Sequence, residues 1–365
     1  MAIVVLLSQL PLPYSKIGSW TNMYKNYLEK KHQIDYIICE KPAAFFDTVK
    51  YSIVEDSILL KIRRKWHHYF RIGFVDALEK IIHSNPQQKF VIQLVDNFQM
   101  AYMIDKILTK KALRDRCYLQ VFYHGFGPFI DVSKYPGFFE KIDELVLLTN
   151  DSYKAHKQFY NVFPCKTSTL YNGIDTAKFH KTSPEEKEQL KISNGYAGKK
   201  VFIWCSQDRP KKGLQLILNV WKSVHANNSN TVLLVVGAKR DLIVDGVVFV
   251  GKVPNQDLPK YYQMSDCYLF PSLCHEGFGL SLVEALNCGC YCIASNAGGI
   301  PEVLHYGKYG KLIENPNYVS EWETAINNYL SGKEEPIVLG EPLYTIEEWS
   351  ANMDKIINNA KQHLS

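Results

Sequence analysis

Two successive sets of short apolar runs, separated by helix-length amphipathic segments, most constrain the fold of this chain. The runs are apolar throughout, without the alternation of a half-exposed strand, which is typical of strands buried on both faces of a parallel sheet. Segments such as Ser19–Lys30 and Met100–Ala112 have helical periodicity. The runs of the first set are Ala2–Leu7, Ile34–Cys39, Phe90–Val95, Tyr118–Tyr123 and Leu145–Thr149.

The pattern restarts after a polar stretch, residues 181–199, and predicts a second domain. Helical periodicity returns at Leu214–Ala226, Leu280–Asn287 and Ile346–Leu364, the last with no strand after it. A chain of 365 residues exceeds the usual size of one hydrophobic core. The expected fold class is therefore α/β, with two doubly wound parallel sheets. The second set of strands is Lys200–Cys205, Thr231–Val236, Val247–Val250, Cys267–Phe270, Tyr291–Ala294 and Gly310–Ile313.

Composition narrows the class of protein and its location. The net charge of +5 is too weak to indicate a nucleic-acid partner, although it suits an anionic ligand. The nine cysteines include no C-x-x-C pair, which argues against a zinc site or a disulfide framework. The apolar N-terminal stretch is too short for a signal peptide, and no run approaches the roughly 18 residues of a membrane span. We expect a cytoplasmic protein.

One basic segment has two interpretations. Basic residues flank the aromatic run 66–70 there, so the segment could lie on an anionic bilayer and make the protein peripheral on the inner face of the membrane. The alternative is a solvated helix face with some aromatic side chains packed inward. The basic residues are Lys61, Arg63, Arg64, Lys65 and Arg71.

The densest chemical signal is the segment PSLCHEGFGLSLVEA at residues 271–285, between a buried strand and a helix. Its glycines permit tight turns and close ligand approach, and the helix start offers free N–H groups to an anion such as a diphosphate. Glu276 and Glu284 flank the loop, and carboxylates so placed can accept hydrogen bonds from sugar hydroxyls. The alternative is a turn with two surface glutamates, which this whole segment disfavours.

The spacing Glu276-x7-Glu284 resembles that of the retaining glycosyltransferases of family 4, the glycosyl transferases group 1, which have the GT-B fold. The resemblance continues through Asn287-Cys288-Gly289 and residues 295–302 (SNAGGIPE). It includes residues 171–175 (YNGID) with Phe179, and Lys212-Gly213. Fold and activity below are what this resemblance implies.

The resemblance implies a role for each residue that matches the family pattern. Glu284 would hold the ribose hydroxyls of the nucleotide, and Glu276 would contact hydroxyls of the transferred sugar. Lys212 would neutralise the departing diphosphate, where negative charge develops as the glycosidic bond breaks. The glycine-rich loop would contact sugar and phosphate oxygens through the backbone of Gly277, Phe278, Gly279 and Leu280.

Three further positions match the family less closely. The family commonly has an arginine where this chain has Gln207, so either Arg209 reaches the phosphate from a shifted loop or the second cation is absent; we favour Arg209. Gly18, in a loop after the first strand, would approach the donor phosphates or the acceptor, or Ser19 beside it is only a helix cap. His124 ends a strand before two glycines and would contact the sugar or acceptor, the alternative being a structural histidine.

The resemblance also implies an organisation and a chemistry. Residues 1–185 would form an acceptor-binding Rossmann-like domain and residues 190–345 a nucleotide-sugar-binding one, facing a central cleft, with residues 346–365 as a helix crossing back to the first domain. No D-x-D motif occurs, so we expect no metal and no cofactor beyond the donor.

The implied activity is transfer, with retention, of a hexose or N-acetylhexosamine to a glycan or glycolipid. A UDP-sugar is the favoured donor and GDP-mannose a possible one, and cell-surface polysaccharide or lipopolysaccharide synthesis is the expected setting. Two alternatives stay open: a sugar-nucleotide epimerase of the same fold, and a non-catalytic nucleotide-sugar-binding subunit.

Overall fold

The computed structural model describes residues 2–14, 19–55, 72–160, 163–334, 337 and 339–364. These residues form two compact units. The first contains residues 1–172 together with the terminal helix, residues 346–365, and the second contains residues 173–345. Gly18 and the basic segment 61–71 lie outside the described residues, so the interpretations of both stay predictions.

The first unit is built on a parallel sheet. In the described part of the chain it has seven strands in the order β3-β2-β1-β4-β5-β6-β7, and every neighbouring pair is parallel. The strands are β1 (Ile3–Leu7), β2 (Tyr36–Cys39), β3 (Lys50–Ile53), β4 (Phe90–Val95), β5 (Cys117–Tyr123), β6 (Glu144–Leu147) and β7 (Lys166–Thr169).

Helices follow most of these strands and cover both faces of the sheet. One buried cluster contains Phe74 and Leu78 beneath one layer of helices, and a second contains Tyr24, Tyr27 and Met353 on the other face. The helices are α1 (Ser19–Leu28), α2 (Ile72–His83), α3 (Phe98–Lys110), α4 (Phe138–Lys141) and α5 (Asn150–Phe159), followed at the end of the chain by the terminal helix Ile346–Leu364.

The terminal helix belongs to the first unit through its apolar stripe. Trp349 packs edge-on against the rings of Tyr24 and Tyr27 of α1, with ring centroids 5.5 Å and 5.7 Å away. The Tyr27 hydroxyl donates to Asp354, and Gln33 Nε2 donates to the same carboxylate at 3.0 Å. This helix therefore closes the core of the first unit, although the whole second unit precedes it in sequence.

The second unit repeats the architecture. Its described strands form a six-stranded parallel sheet in the order β10-β9-β8-β11-β12-β13. The strands are β8 (Lys200–Cys205), β9 (Thr231–Val236), β10 (Val247–Gly251), β11 (Cys267–Phe270), β12 (Tyr291–Ser295) and β13 (Lys311–Ile313). The helices are α6 (Pro184–Ser193), α7 (Leu214–Asn227), α8 (Leu258–Gln263), α9 (Leu280–Asn287), α10 (Ile300–Val303) and α11 (Val319–Leu330), so that the terminal helix is α12.

The predicted fold class is confirmed by these two parallel α/β sheets. Sequence patterns missed β3 and β7, and both are edge strands with short polar sequences, KYSI and KTST. An edge strand is covered less completely than a central one, so its sequence lacks the apolar run that marks the others. In the part of the chain that is described, no helix is long and apolar enough to cross a bilayer.

The second unit begins earlier than the boundary expected from sequence, after residue 172 and not after 185. The Ile174 N–H donates to the Tyr344 carbonyl at 2.8 Å, and Ile174 forms a parallel bridge with Thr345. Helix α6 is anchored in the same unit, because Lys187 and Lys191 both pair with the Asp266 carboxylate, at 3.0 Å and 2.7 Å. The polar segment 181–199 was interpreted as a separator between two domains because it is polar and charged. Two of its lysines instead anchor it to the second unit.

Strand order marks where a ligand would bind in the second unit. From β8 the chain continues on one side to β9 and β10, and then returns to place β11 on the other side of β8. In open parallel sheets, ligands bind at the carboxyl ends of strands where the order reverses in this way. The loops that follow β8 and β11 carry Lys212 and Glu276.

Candidate active site

The loop after β11 is organised around the Glu276 carboxylate. Lys212 Nζ donates to Glu276 Oε1 at 2.5 Å, and Ser272 Oγ donates to the same oxygen at 2.5 Å. Cys274 Sγ lies 3.6 Å from that oxygen. The side chains of Lys212 and Glu276 keep 22% and 15% exposure, so the pair is shielded but still accessible. Two of the three residues expected to be catalytic are thereby in direct contact, although 64 positions separate them.

Backbone contacts fix the two loops that meet at this pair. The Leu273 N–H donates to the Lys211 carbonyl at 2.8 Å, which joins the β11 loop to the short 3-10 turn Pro210–Lys212. Trp204 Nε1, on β8, donates to the Lys212 carbonyl at 3.1 Å. The Gly299 N–H donates to the Glu276 carbonyl at 2.8 Å. The ion pair therefore sits on backbone that is held from three sides.

The glycine-rich loop delivers the chain into helix α9 as the sequence indicates. Gly279 is the N-cap residue, with a left-handed φ of +82°, and Leu280 begins the helix. The first N–H groups of a helix have no partner within it, and the helix dipole makes that end favourable for an anion. Gly277 is half-buried. The Phe278 side chain is buried and packs edge-on against Tyr344 at 5.1 Å, so only its backbone is available to a ligand.

Glu284 lies one turn into α9. Its nearest hydrogen-bond partner is the Tyr262 hydroxyl, at 3.4 Å from Oε2. Burial raises the pKa of the Glu284 carboxyl to about 7, and the Tyr262 hydroxyl and the charge of Lys178 oppose that rise. Tyr268 Oη, which lies 3.2 Å from the Cys205 carbonyl and 2.9 Å from Ser281 Oγ, ties α9 to the end of β8. A carboxyl held with so few partners is poised to accept hydrogen bonds from hydroxyl groups.

In the loop after β8, the Arg209 carbonyl accepts a hydrogen bond from the Lys212 N–H at 2.8 Å, but no contact joins the Arg209 side chain to Glu276 or to the Lys212 ammonium among the described residues. Arg209 is exposed and serves as the N-cap residue of the 3-10 turn. The structure instead reveals an arginine that sequence reasoning missed. Arg240 pairs with both oxygens of Asp208, at 2.9 Å and 2.7 Å, and donates to Gln215 Oε1 at 2.8 Å. Whether Arg209 meets a phosphate stays a prediction, and Arg240 positions the loop that carries it.

His124 belongs to the first unit, where it follows β5 at the carboxyl edge of the sheet. Its backbone N–H donates to Asp96 Oδ1 at 2.8 Å, and its Nδ1 lies 3.3 Å from Asp96 Oδ2. Asp96, which directly follows β4, has a positive φ of 50° that turns its carboxylate toward the next strand end. The ring of Trp20 lies 6.4 Å from the imidazole, centroid to centroid. Asp96 had not been predicted; its place directly after a buried strand was the available signal.

Comparison with known proteins relates most of the second unit to a family. Residues 185–342 match the sequence model of the family described as Glycosyl transferases group 1. The chain is 34% identical over 158 residues to the N-acetyl-alpha-D-glucosaminyl L-malate synthase of Bacillus anthracis, covering 40% of each protein. It is 25% identical over 185 residues to a GDP-mannose-dependent alpha-(1-6)-phosphatidylinositol monomannoside mannosyltransferase of Mycolicibacterium smegmatis, covering 46% of this chain and 48% of that protein.

The sequence matches to the curated relatives cover only part of each protein. The chain spans about half the length of the curated relatives that it matches. Among solved structures, HepE from Anabaena in complex with UDP-glucose superposes with a TM-score of 0.71 at 16% identity, covering 98% of this chain and 100% of that one. At this identity the likeness shows the fold. The chain therefore has the GT-B fold, and its second unit, which carries Lys212, Glu276 and Glu284, matches the glycosyl transferases group 1 family.

Proposed function

We propose that this chain transfers a sugar from a nucleotide-sugar donor to a glycan or glycolipid acceptor, with retention of anomeric configuration. The observation that carries the proposal is the contact between Lys212 and Glu276 at the strand-order reversal, beside the start of α9. It sets a cation, a hydroxyl-binding carboxylate and a helix N-terminus at one place. The second unit would hold the donor, and the first unit would take the acceptor.

The chemistry follows from where charge develops. Breaking the bond between sugar and diphosphate leaves negative charge on the nucleotide, and Lys212 and the first N–H groups of α9 are fixed to meet it. The sugar passes through a state resembling an oxocarbenium ion. The acceptor hydroxyl would attack from the face that the diphosphate leaves and pass its proton to the leaving phosphate. Glu276 would hold sugar hydroxyls and Glu284 the ribose hydroxyls.

The donor is proposed as a UDP-sugar, with GDP-mannose as the second choice. HepE was solved with UDP-glucose, whereas the mycobacterial relative is named for GDP-mannose, so both bases are candidates for the donor. Cell-surface polysaccharide or lipopolysaccharide assembly, a cytoplasmic location and peripheral membrane contact are part of the proposal. Independence from metals and cofactors stays a prediction.

The first test is a thermal-shift screen of the full chain against UDP, GDP, ADP and their sugars. A ligand that binds only the folded state stabilises it, by about 2.7 kcal/mol when its concentration is 100 times its Kd, and so raises the apparent melting temperature. We expect one base to give a selective shift, followed by acceptor-dependent release of that nucleotide. Release of nucleotide without an acceptor product would favour an epimerase, and binding without turnover on any acceptor extract would favour a binding subunit.

The raised pKa of Glu284 predicts that donor binding strengthens as the pH rises through about 7. Ribose hydroxyls donate to the ionised carboxylate, so a proton on Glu284 competes with the donor. Below that pKa the Kd should increase by up to about tenfold per pH unit, and above it the Kd should level off. Calorimetry with an intact nucleotide-sugar from about pH 5.5 to about pH 8.5 measures this, because its diphosphate does not titrate there.

The matched variant for this prediction is Glu284→Gln, which keeps the shape of the side chain but cannot ionise. We expect it to bind the donor more weakly at about pH 8 and to lose most of the pH dependence. A Glu284→Gln protein that retains the full pH profile would show that another group titrates, and the assignment of Glu284 to the ribose would be withdrawn.

A further inference from the structure

A small cavity in the first unit lies beneath the carboxyl ends of β5 and β6. Side chains from α1, from both strands and from α12 line it, including Tyr24, His124, Asn172 and Trp349. The volume of this cavity, measured as the space that the centre of a water-sized sphere can reach, is about 10 Å³. That is roughly the room needed by one water molecule, so nothing much larger can enter without a rearrangement.

Three polar atoms on the residues around this cavity make no hydrogen bond of good geometry in the described structure, although one of them, His124 Nδ1, lies 3.3 Å from Asp96 Oδ2. They are the Tyr24 hydroxyl, His124 Nδ1 and Asn172 Oδ1. Within the described residues only six buried side-chain atoms are in this condition, and half of them belong to residues that line this one cavity. Tyr24 and Asn172 are 1% and 4% exposed. Each unsatisfied buried polar atom costs about 1–3 kcal/mol, so three around one space indicate a shared partner.

The chemistry of the three atoms fits a single water molecule. Burial raises the pKa of Tyr24, so its hydroxyl keeps its proton and can donate. Asn172 Oδ1 can only accept. The Asp96 carboxylate, which lies 3.3 Å from His124 Nδ1, favours a proton on that nitrogen. One water could then accept from Tyr24 and from His124 Nδ1 and donate to Asn172.

We propose that Tyr24 and Asn172 are positioning residues that hold His124 through one buried water molecule. The proton stays on Nδ1, and Nε2 is left as an acceptor for a hydrogen of a sugar hydroxyl. The ring of Trp20 lies beside the same imidazole, at 6.4 Å between centroids. The buried water and the position of the proton on His124 are inferred from residues of the first unit alone. The contact between His124 and a sugar rests in addition on the proposed function.

The test of the water and the tautomer is NMR of the full chain with ¹⁵N-labelled histidine, His124 being assigned from a His124→Asn sample. The two ring nitrogens report directly which one carries the proton. We expect Nδ1–H in the unmodified protein. In Tyr24→Phe and in Asn172→Leu the His124 signals should move toward a mixture of tautomers. Tyr24→Phe removes one oxygen only, so it keeps the test valid if Asn172→Leu fails to fold.

The matched control is Tyr27→Phe, in the same helix. The Tyr27 hydroxyl donates to Asp354 and Tyr27 does not line the cavity. This variant also loses a hydroxyl facing α12, so it controls for loosening of that contact, and His124 should keep its signals. A proton on Nε2 in the unmodified protein would overturn the proposal, and so would unchanged His124 signals in Tyr24→Phe.

A second readout separates this proposal from the proposed function. We expect Tyr24→Phe to lower kcat/KM for sugar transfer about tenfold, as is typical when a group that orients an active residue is lost. Tyr27→Phe should stay within about twofold of the unmodified protein, a change too small to count as lost positioning. An unchanged kcat/KM in Tyr24→Phe would overturn the positioning role. If no donor supports transfer at all, the proposed function fails, while the NMR result still decides the water and the tautomer.

Discussion

Replacing Lys212 by alanine is expected to slow sugar transfer by about 100- to 1000-fold, the range found when one group that stabilises developing charge is removed from an active site. Lys212 Nζ is held on Glu276 at 2.5 Å at the mouth of α9, where the departing diphosphate would sit. The loss should fall mainly on kcat, because the charge that Lys212 meets is largest in the transition state. Initial rates with saturating donor measure it.

Lys211→Ala is the control for that experiment. Lys211 is the preceding residue in the same 3-10 turn, carries the same charge, and is exposed. Its tie to Leu273 runs through its backbone carbonyl, which alanine keeps. We expect its rate within about twofold of the unmodified protein, as for most surface changes. Equal rates for Lys212→Ala and the unmodified protein would refute the role of Lys212 in the reaction, and equal losses in both lysine variants would point to general charge alone.

Replacing Gly213 by alanine should destabilise the second unit by about 3 kcal/mol or more. Gly213 has a φ of +69°, in the left-handed region, and a Cβ there would lie 1.9 Å from the Pro271 carbonyl oxygen. This is where the loop after β8 passes against the loop after β11. The two backbones cannot approach so closely with a side chain between them. We expect the melting temperature of this unit to fall by about 6–12 °C.

Gly198→Ala separates crowding from backbone conformation. Gly198 has a similar φ of +66°, but no atom lies within 4 Å of the Cβ that alanine would add. Only the conformational cost should appear there, about 1 kcal/mol. Thermal melts of the two variants provide the comparison. If both lose the same stability, the close approach of the two loops is not what requires glycine at position 213.

Sequence patterns anticipated the central strands because burial on both faces leaves a local signature. Strands β4, β8, β9 and β11 begin and end where their apolar runs do. Edge strands β3 and β7 were not predicted, since their half-exposed polar sequences contain no such apolar run. The polar segment before β8 was interpreted as a separator, whereas its lysines bind Asp266 and make it part of the second unit.

For the candidate site, too, the sequence predicted the features that lie within one short segment and missed those that join distant segments. The order Glu276, glycines, helix, Glu284 is visible in the sequence because all of it lies within one loop and one helix. The partner of Glu276 was not derivable from spacing, since Lys212 follows a different strand and reaches it only because β8 and β11 are neighbours. The Arg240–Asp208 pair and the cavity beside His124 were hidden for the same reason.

The amino-acid sequence by itself determined the parallel α/β class and the glycine-rich loop that leads into helix α9, because strand burial, glycine turns and helix starts are properties of short segments. Tertiary structure alone decided which side chains meet: the cation on Glu276, the burial that raises the pKa of Glu284, and the three residues around one small cavity that each have a side-chain polar atom without a hydrogen bond. Those pairings depend on strand order and on packing between residues far apart in the chain, and no local pattern encodes either.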